Sequence, residues 1–182
     1  MATQTITKTK WNLDPTHSEI GFKVKHMMIT NVSGSFGKFD VNVETEDKDF
    51  STAEIDFTAD LNSISTGNAD RDNHLKSGDF FDTAKYPNLK FVSTKMKKKD
   101  EGNFILHGDL TVKEVTKPVT LNVEFGGIAK DPWGNAKAGF TITGKINRTD
   151  FNLNWNAALE TGGVLVSEEV KLYAEVQLIR NV

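Results

Sequence analysis

The chain has 182 residues, a formal net charge of -3, a pI near 5.8 and no cysteine. The acidic balance argues against a nucleic-acid partner, and the lack of cysteine excludes disulfides, thiolate catalysis and cysteine-based metal sites. No stretch approaches the roughly 20 apolar residues of a membrane span, and residues 1–10 lack the apolar core of a signal peptide. We expect a tail over 1–10 and one barrel domain over 11–182, cytoplasmic as the chain is given and periplasmic if a signal peptide has been removed.

Apolar and polar residues alternate with period two through most of the chain, which is typical of half-buried strands. The parity of this alternation shifts between Phe36 and Phe39, so we place a β-bulge at Gly37. Residues 53–61 alternate without a break, and they predict one long strand that includes Leu61.

Residues 64–87 interrupt the strands. Asn68 is a candidate N-cap, charged residues surround Leu75, and Gly78 is a candidate stop signal, so a short helix is predicted over residues 70–77. A long connection in a compact domain often serves as a lid or binding loop. Its apolar residues would alternatively plug the end of a sheet while its charges face water.

The C-terminal half continues as long strands joined by turns. A polar hairpin turn is predicted around Gly102, and Gly126-Gly127 with residues 131–135 predict a second, wider turn. About eight antiparallel strands with one apolar face describe a barrel or a sandwich. Strands of ten or more residues favour a tall all-β barrel over a sandwich, and the interior of such a barrel holds side chains or one small ligand.

The inward face combines large rings with small residues such as Gly108 and Gly144. Small residues either let rings interdigitate in a packed core or leave a cavity, and a tall barrel with a cavity suits an elongated apolar ligand. The predicted wall of this lipid-binding tube is Phe22, Val24, Phe39, Phe57, Leu61, Phe91, Phe104, Phe140 and Leu172.

Catalytic and metal signatures are weak. The four histidines show no zinc-ligand spacing, and no nucleophile elbow, phosphate loop or dinucleotide fingerprint is present, so we expect no metal, no cofactor and no enzyme. One alternative is a hydrolase or isomerase that acts on a lipid through His17 and His74. Another is a packed barrel that acts through its surface, for which Tyr173 and Ile179 on the outward face of the last strand are the only indication.

Several ordered motifs from Trp11 onward together resemble the YceI-like family. They are residues 14–18 (DPTHS), 20–26 (IGFKVKH), 32–36 (VSGSF), 71–75 (RDNHL), 79–82 (DFFD), 86–87 (YP), 108–112 (GDLTV), 115–119 (VTKPV) and 148–151 (RTDF).

The resemblance implies an extended lipocalin-like barrel that binds a polyisoprenoid or a similar long amphipathic lipid, such as a quinone or a prenyl pyrophosphate. The expected protein is a monomer or homodimer with a long-chain lipid as its partner. The resemblance carries over no established chemistry for the polar motif residues. They form a hypothetical polar cluster near the mouth or a loop anchor, consisting of Asp14, His17, Arg71, Asp72 and His74.

Overall fold

The computed structural model describes residues 4–181, so the first three residues of the predicted tail lie outside the described residues. The described part contains eleven strands: β1 (Lys8–Leu13), β2 (Glu19–His26), β3 (Thr30–Phe36), β4 (Phe39–Glu46), β5 (Asp49–Asp60), β6 (Ile64–Ser65), β7 (Asn88–Asp100), β8 (Asn103–Val112), β9 (Val115–Lys130), β10 (Ala136–Asn147) and β11 (Val166–Arg180). One α-helix, α1 (Ala69–Lys76), and three short 3-10 turns over Pro15–His17, Leu61–Ser63 and Arg148–Phe151 complete it. No described helix has the length and hydropathy to cross a membrane.

The sheet closes into a barrel of eight antiparallel strands in the order β1, β4, β5, β7, β8, β9, β10, β11, with β11 pairing back to β1. The long β11 pairs with β1 near its C-terminal end and with β2 over the rest of its length. On the other side of β1 and β2, strand β3 pairs with β2 and strand β4 pairs with β1. The prediction of an antiparallel lipocalin-like barrel of about eight strands is therefore confirmed.

Three local predictions differ from the structure in detail. Gly37 and Lys38 form a bend between β3 and β4, at the position of the predicted bulge. Gly126 and Gly127 do not turn the chain, because β9 runs through them. The register slips there instead, Phe125 facing Phe140 and Gly127 facing Gly139, which is a bulge that bends a long strand of a closing barrel. Strand pairing also begins at Lys8, inside the predicted tail.

The predicted helix forms at its predicted place. The Asn68 side chain accepts a hydrogen bond from the Arg71 backbone N–H at 2.9 Å, which caps the N-terminus of α1. The helix ends at Lys76, with Ser77 as an extended C-cap. Strand β5 stops at Asp60, whose side chain caps the following 3-10 turn, so Leu61 lies outside the strand.

The two ends of the barrel differ. At the end where β10 begins, aromatic rings fill the lumen: Trp11 and Phe50 have centroids 5.0 Å apart, and Phe50 lies 4.9 Å from Phe140. The Trp11 Nε1–H donates to Thr45 Oγ1 at 3.0 Å, which satisfies the one polar atom of this buried ring. We call this end the floor. The opposite end, which carries α1 and residues 148–165, is the mouth.

Glycines in the wall let large side chains approach its backbone closely. A Cβ on Gly108 would overlap the Phe91 ring and stand 2.6 Å from the Val92 carbonyl oxygen, and a Cβ on Gly34 would overlap the Phe22 ring. Gly144 accommodates Leu121 in the same way. The small residues at these inward positions therefore receive their neighbours' side chains.

We expect Gly108→Ala to lower the free energy of unfolding by about 1–3 kcal/mol, because the added methyl meets a ring and a backbone carbonyl. Urea unfolding of both proteins measures the difference. Gly78→Ala is the matched control, since a Cβ there has no neighbour within 4 Å. Equal stability of Gly108→Ala and the parent would show that Phe91 moves freely away from the wall.

Candidate functional site

The barrel encloses a cavity of about 400 Å³ that runs from the aromatic floor to the mouth. Its wall is built almost wholly from the inward side chains of the strands, and every polar residue that lines it belongs to the mouth half. Cavities of this size hold one small or elongated ligand. The arrangement suits an apolar chain that points inward and a polar head group that remains at the mouth.

Seven of the nine predicted wall residues line the cavity. They are Phe22, Val24, Phe39, Phe57, Phe91, Phe140 and Leu172. Leu61 does not, because it leaves the strand and packs in a separate fully buried cluster with Phe36 and Ile64. Phe104 does not either: it lies buried near the start of β8, in the packed floor half.

The connection between β5 and β7 covers the mouth. Strand β3 pairs on its outer side only at Ser35 and Phe36, so the described sheet leaves a gap there that residues 61–87 occupy. From this segment Leu75, Phe80 and Phe81 join the cavity wall. The segment therefore both plugs the end of the sheet and covers the cavity, which combines the two roles considered for it.

His74 fixes this cover to the loop on the opposite side of the mouth. Its ring packs edge-on against Trp155, with centroids 4.7 Å apart, and against Phe80 at 5.1 Å. Its Nε2 lies 2.8 Å from an Asp79 carboxylate oxygen. A histidine held on three sides in this way is an anchor between two loops that also lines the cavity.

Cationic groups ring the mouth. The polar lining consists of Lys25, His26, Thr66, Arg71, His74, Arg148 and the more distant Tyr173, and no aspartate or glutamate of the described chain lines the cavity. An apolar wall strengthens electrostatic interactions because it lowers the local dielectric constant. The mouth is therefore complementary to an anionic group.

Arg148 is the most deeply buried of these cations, at 4% exposure. Its guanidinium donates to four backbone carbonyls, those of Leu153 at 2.5 Å, Trp155 at 2.9 Å, Ser167 at 2.8 Å and Val166 at 3.2 Å. Burial lowers the pKa of Arg148 below its usual value, and the nearby charge of Glu168 opposes that shift. The loop after β10 is thus folded around a cation that the described contacts do not neutralise with a salt bridge.

Sequence reasoning quoted Arg148 only within a family motif and did not include it in the candidate site. The signal was present, because the inward parity of β10 continues from Ile146 to position 148. The same parity, continued from Val24, places His26 at the cavity. A charged residue at an inward position beyond the end of a strand marks the rim of a barrel.

The five polar residues predicted to cluster form separate groups. Arg71 and Asp72 do not bond each other, and both hold Thr66: Arg71 Nε donates to Thr66 Oγ1 at 2.8 Å, and Asp72 accepts from the Thr66 N–H at 2.8 Å. Of this pair only Arg71 lines the cavity. The group is a loop anchor at the mouth, with the guanidinium at the rim.

Asp14 and His17 lie elsewhere, beside the start of β10. The Asp14 carboxylate is 4% exposed and accepts hydrogen bonds from Lys137 at 2.6 Å and from Thr16, and a third partner, His17 Nδ1, lies 2.9 Å away. Burial favours the neutral acid, but the hydrogen bonds from Lys137, His17 and Thr16 outweigh it and hold the pKa of Asp14 well below its usual range. This group secures the break between β1 and β2, and it does not line the cavity.

The placement of His17 and His74 bears on the catalytic alternative. His17 bonds Asp14 toward the floor half of the wall, whereas His74 belongs to the cover of the mouth. The two imidazoles therefore do not converge on a common ligand position. No group of three or more acidic or histidine side chains in residues 4–181 is arranged to hold a metal ion.

Tyr173 has the outward parity of β11 and is 38% exposed, although it also contributes to the edge of the cavity lining. Its hydroxyl donates to Glu19 Oε1 at 2.7 Å, and this hydrogen bond, with burial and the charges of Glu19 and Glu175, raises the pKa of Tyr173 to about 12. Ile179, the other surface candidate, is half-buried. The Tyr173 hydroxyl is therefore already hydrogen-bonded to a neighbouring residue of the barrel surface.

Comparison with known proteins gives consistent matches over the full barrel. A family model for the YceI-like domain matches residues 11–178. A UPF0312 protein of Staphylococcus aureus (strain MSSA476) is 44% identical over 170 residues, which cover 93% of this chain and 96% of the relative.

Two solved structures share the architecture. A Campylobacter jejuni YCEI protein is 32% identical, with a TM-score of 0.74 and full coverage of both chains. A polyisoprenoid binding domain from Saccharophagus degradans is 16% identical, with a TM-score of 0.65, and the match covers 94% of this chain and 98% of that one. At that identity the second likeness shows the fold alone.

We expect Asp14→Asn to destabilise the protein by about 2 kcal/mol at pH 7, since it removes a buried charge that accepts hydrogen bonds from Lys137 and His17. Because folding lowers the pKa of Asp14, its ionised form stabilises the fold above its ordinary pKa of 3.8, and this stabilisation is lost as the pH falls below that value. Urea unfolding at pH 7 and pH 3 should therefore show a smaller difference between parent and variant at pH 3.

Asp109→Asn is the control for that comparison, because Asp109 is an exposed carboxylate on β8. It should leave the unfolding free energy within about 0.5 kcal/mol of the parent. A difference for Asp14→Asn that stays constant between the two pH values would contradict the assignment of Asp14 as a stabilising anion.

Proposed function

Since this chain belongs to the YceI-like family, we propose that it binds a long-chain isoprenoid, or a similar amphipathic lipid with an anionic head group, for storage, sequestration or transport. The observation that carries the proposal is the apolar cavity of about 400 Å³ whose charged lining residues, in the described chain, are all cations at the mouth. The polyisoprenoid binding named for the Saccharophagus degradans domain agrees with it.

The apolar wall supplies enough free energy for a long chain to bind. Burial of one methylene contributes about 0.8 kcal/mol, so each five-carbon prenyl unit contributes roughly 3–4 kcal/mol before ordering costs are subtracted. A few such units in contact with Phe57, Phe91 and their neighbours give useful affinity without any polar contact. Contacts with the head group would then distinguish between lipids that have the same chain.

The cationic mouth favours a pyrophosphate over a quinone head group. Arg71 uses its Nε and one Nη for Thr66, which leaves further guanidinium N–H groups for a ligand. Hydrogen bonds to charged groups contribute about 1.5–3 kcal/mol each. A neutral quinone ring would leave the mouth cations without an anionic partner.

A binding role also accounts for the site better than catalysis does. The lining offers carbon atoms and cations, and the one histidine with a carboxylate partner at the cavity, His74, is held between Trp155 and Phe80. A lipid that is recovered chemically unchanged after long incubation supports the carrier role. Turnover that is lost in His74→Ala would instead favour a hydrolase or isomerase.

Native mass spectrometry of the purified protein, followed by organic extraction, is the direct test of the proposed function. A co-purifying isoprenoid would support the proposal and identify the ligand. After delipidation we expect geranylgeranyl pyrophosphate to bind about tenfold or more tightly than geranylgeraniol, which has the same chain and no charge. Arg71→Gln should reduce that preference while leaving binding of the alcohol unchanged.

Two outcomes would contradict the proposal at different levels. Equal affinity for the pyrophosphate and the alcohol would contradict the proposed preference for an anionic head group and would favour a quinone-type ligand. No uptake of either compound would contradict the lipid-binding role, and the surface that includes Tyr173 would become the next candidate for a binding site.

We expect Phe57→Trp to weaken binding of geranylgeranyl pyrophosphate about tenfold, with a melting temperature within a few degrees of the parent. The Phe57 side chain lines the cavity, with its ring centroid 6.3 Å from that of Phe39, so the larger indole displaces about two methylenes of ligand. Val92→Trp places the same side chain on the outward face of the adjacent strand, where Val92 is 50% exposed, and should leave affinity unchanged. Unchanged affinity in Phe57→Trp would place the bound chain elsewhere.

A further inference from the structure

The hairpin between β2 and β3 carries three consecutive exposed apolar residues. Met27, Met28 and Ile29, which we call the tip, are 43%, 57% and 77% exposed. Isolated apolar residues are common on protein surfaces, but three in succession at the end of a hairpin form a protruding patch.

The backbone of the tip is unfavourable for its own residues. Met27 and Met28 have φ values of 50° and 63°, and the Ile29 N–H donates to the His26 carbonyl at 3.2 Å across the turn. Positive φ at both central positions is the requirement of a type I′ turn, which favours Asn-Gly. The chain thus holds two methionines where glycine and asparagine would be less strained, and such strain is concentrated at functional segments.

The tip adjoins the mouth of the lipid cavity. His26, immediately before it, lines the cavity, and the Met27 N–H donates to the carbonyl of Leu165, another lining residue, at 2.8 Å. The Met28 sulfur lies against Gly163, and Val164 beside it is 37% exposed. The exposed apolar surface therefore continues into the rim of the cavity.

Lysines lie on the outward wall behind the tip. Lys23 faces Lys171 across the β2–β11 pair, and Lys171 faces Lys145 across the β11–β10 pair. Lys145 lies 3.9 Å from Glu169, whereas Lys23 and Lys171 form no salt bridge within the described residues. Like charges on directly opposite positions of a sheet repel one another, so an external anion would relieve this arrangement.

We propose that the tip docks on an anionic lipid bilayer, with Met27, Met28 and Ile29 inserted at the interface and with Lys23 and Lys171 contacting lipid phosphates. An apolar tip backed by lysines matches a bilayer surface, which offers an apolar interior below a negative layer. Docking would place the mouth at the membrane, so that a bound chain could pass between bilayer and cavity. Transfer of a chain between bilayer and cavity rests on the proposed lipid-binding function, whereas binding of the tip to the bilayer does not.

Sedimentation with vesicles tests the proposal. We expect the parent to bind vesicles of equal parts phosphatidylglycerol and phosphatidylcholine at least tenfold more tightly than vesicles of phosphatidylcholine alone. The triple variant Met27→Asn, Met28→Gly, Ile29→Thr should bind the anionic vesicles at least tenfold more weakly than the parent. Its denaturation midpoint should stay equal or rise, because the turn then has its favoured residues.

Trp133→Ser is the matched control. Trp133 is 83% exposed, in the turn between β9 and β10 at the floor end, so the variant removes comparable apolar surface far from the mouth. It should leave vesicle binding unchanged. Lys23→Gln with Lys171→Gln should reduce the preference for anionic vesicles several-fold.

Several results would overturn membrane docking. One is equal vesicle binding by the parent and the triple variant, and another is an equal loss in Trp133→Ser. A dimer seen by sedimentation velocity that the triple variant dissociates, without vesicle binding by the parent, would make the tip an interface between copies.

Uptake of geranylgeranyl pyrophosphate, measured without vesicles, separates the two proposals. Normal uptake by a protein that ignores vesicles overturns docking alone. Vesicle binding without uptake overturns the proposed lipid-binding function and leaves docking in place.

Discussion

Closure of the sheet depends on β11, which pairs with β10 along one side and with β1 and β2 in succession along the other. Both edges of β11 are therefore paired, so its backbone groups need no partner outside the fold. The join between β1 and β2 is the weak point, since residues 14–18 leave the ladder there. The buried Asp14 carboxylate compensates by binding Lys137 of β10 across β11, which ties both sides of the join together.

The lumen of a closed barrel is either filled by side chains or left as a cavity. In this barrel the floor end is filled, and the cavity extends from it to the mouth. At the floor, Trp11, Phe50, Phe125 and Phe140 contact one another across the lumen. Further toward the mouth, the outer ring atoms of Phe22 and Phe91 lie over Gly34 and Gly108. The glycines thus contribute to the cavity indirectly, because they let rings lie along the wall and leave the axis of the barrel open.

Period two predicted the strands and seven residues that line the cavity, because side-chain parity in a strand is fixed by geometry. The length of the strands favoured a barrel over a sandwich, and the cap at Asn68 with its neighbouring charges predicted the helix. Parity does not give position along the barrel axis, so it could not separate Phe104, in the floor half, from Phe91 at the cavity. Nor could it show that the strand ends at Asp60, which removes Leu61 from the wall. The polar motifs appear in order along the chain, yet Asp14 and Arg71 serve different joints, since sequence order does not give distance in space.

Arg148 connects the stability of the mouth to its chemistry. Its four carbonyl partners belong to the loop after β10 and the start of β11, so the guanidinium holds that loop in place of a strand pairing. Carbonyl dipoles stabilise the cation without cancelling its net charge, whereas a carboxylate would have neutralised it. A buried charge in apolar surroundings is weakly screened. The group that shapes one side of the mouth therefore also makes it positive, and the proposed preference for an anionic head group depends on that charge.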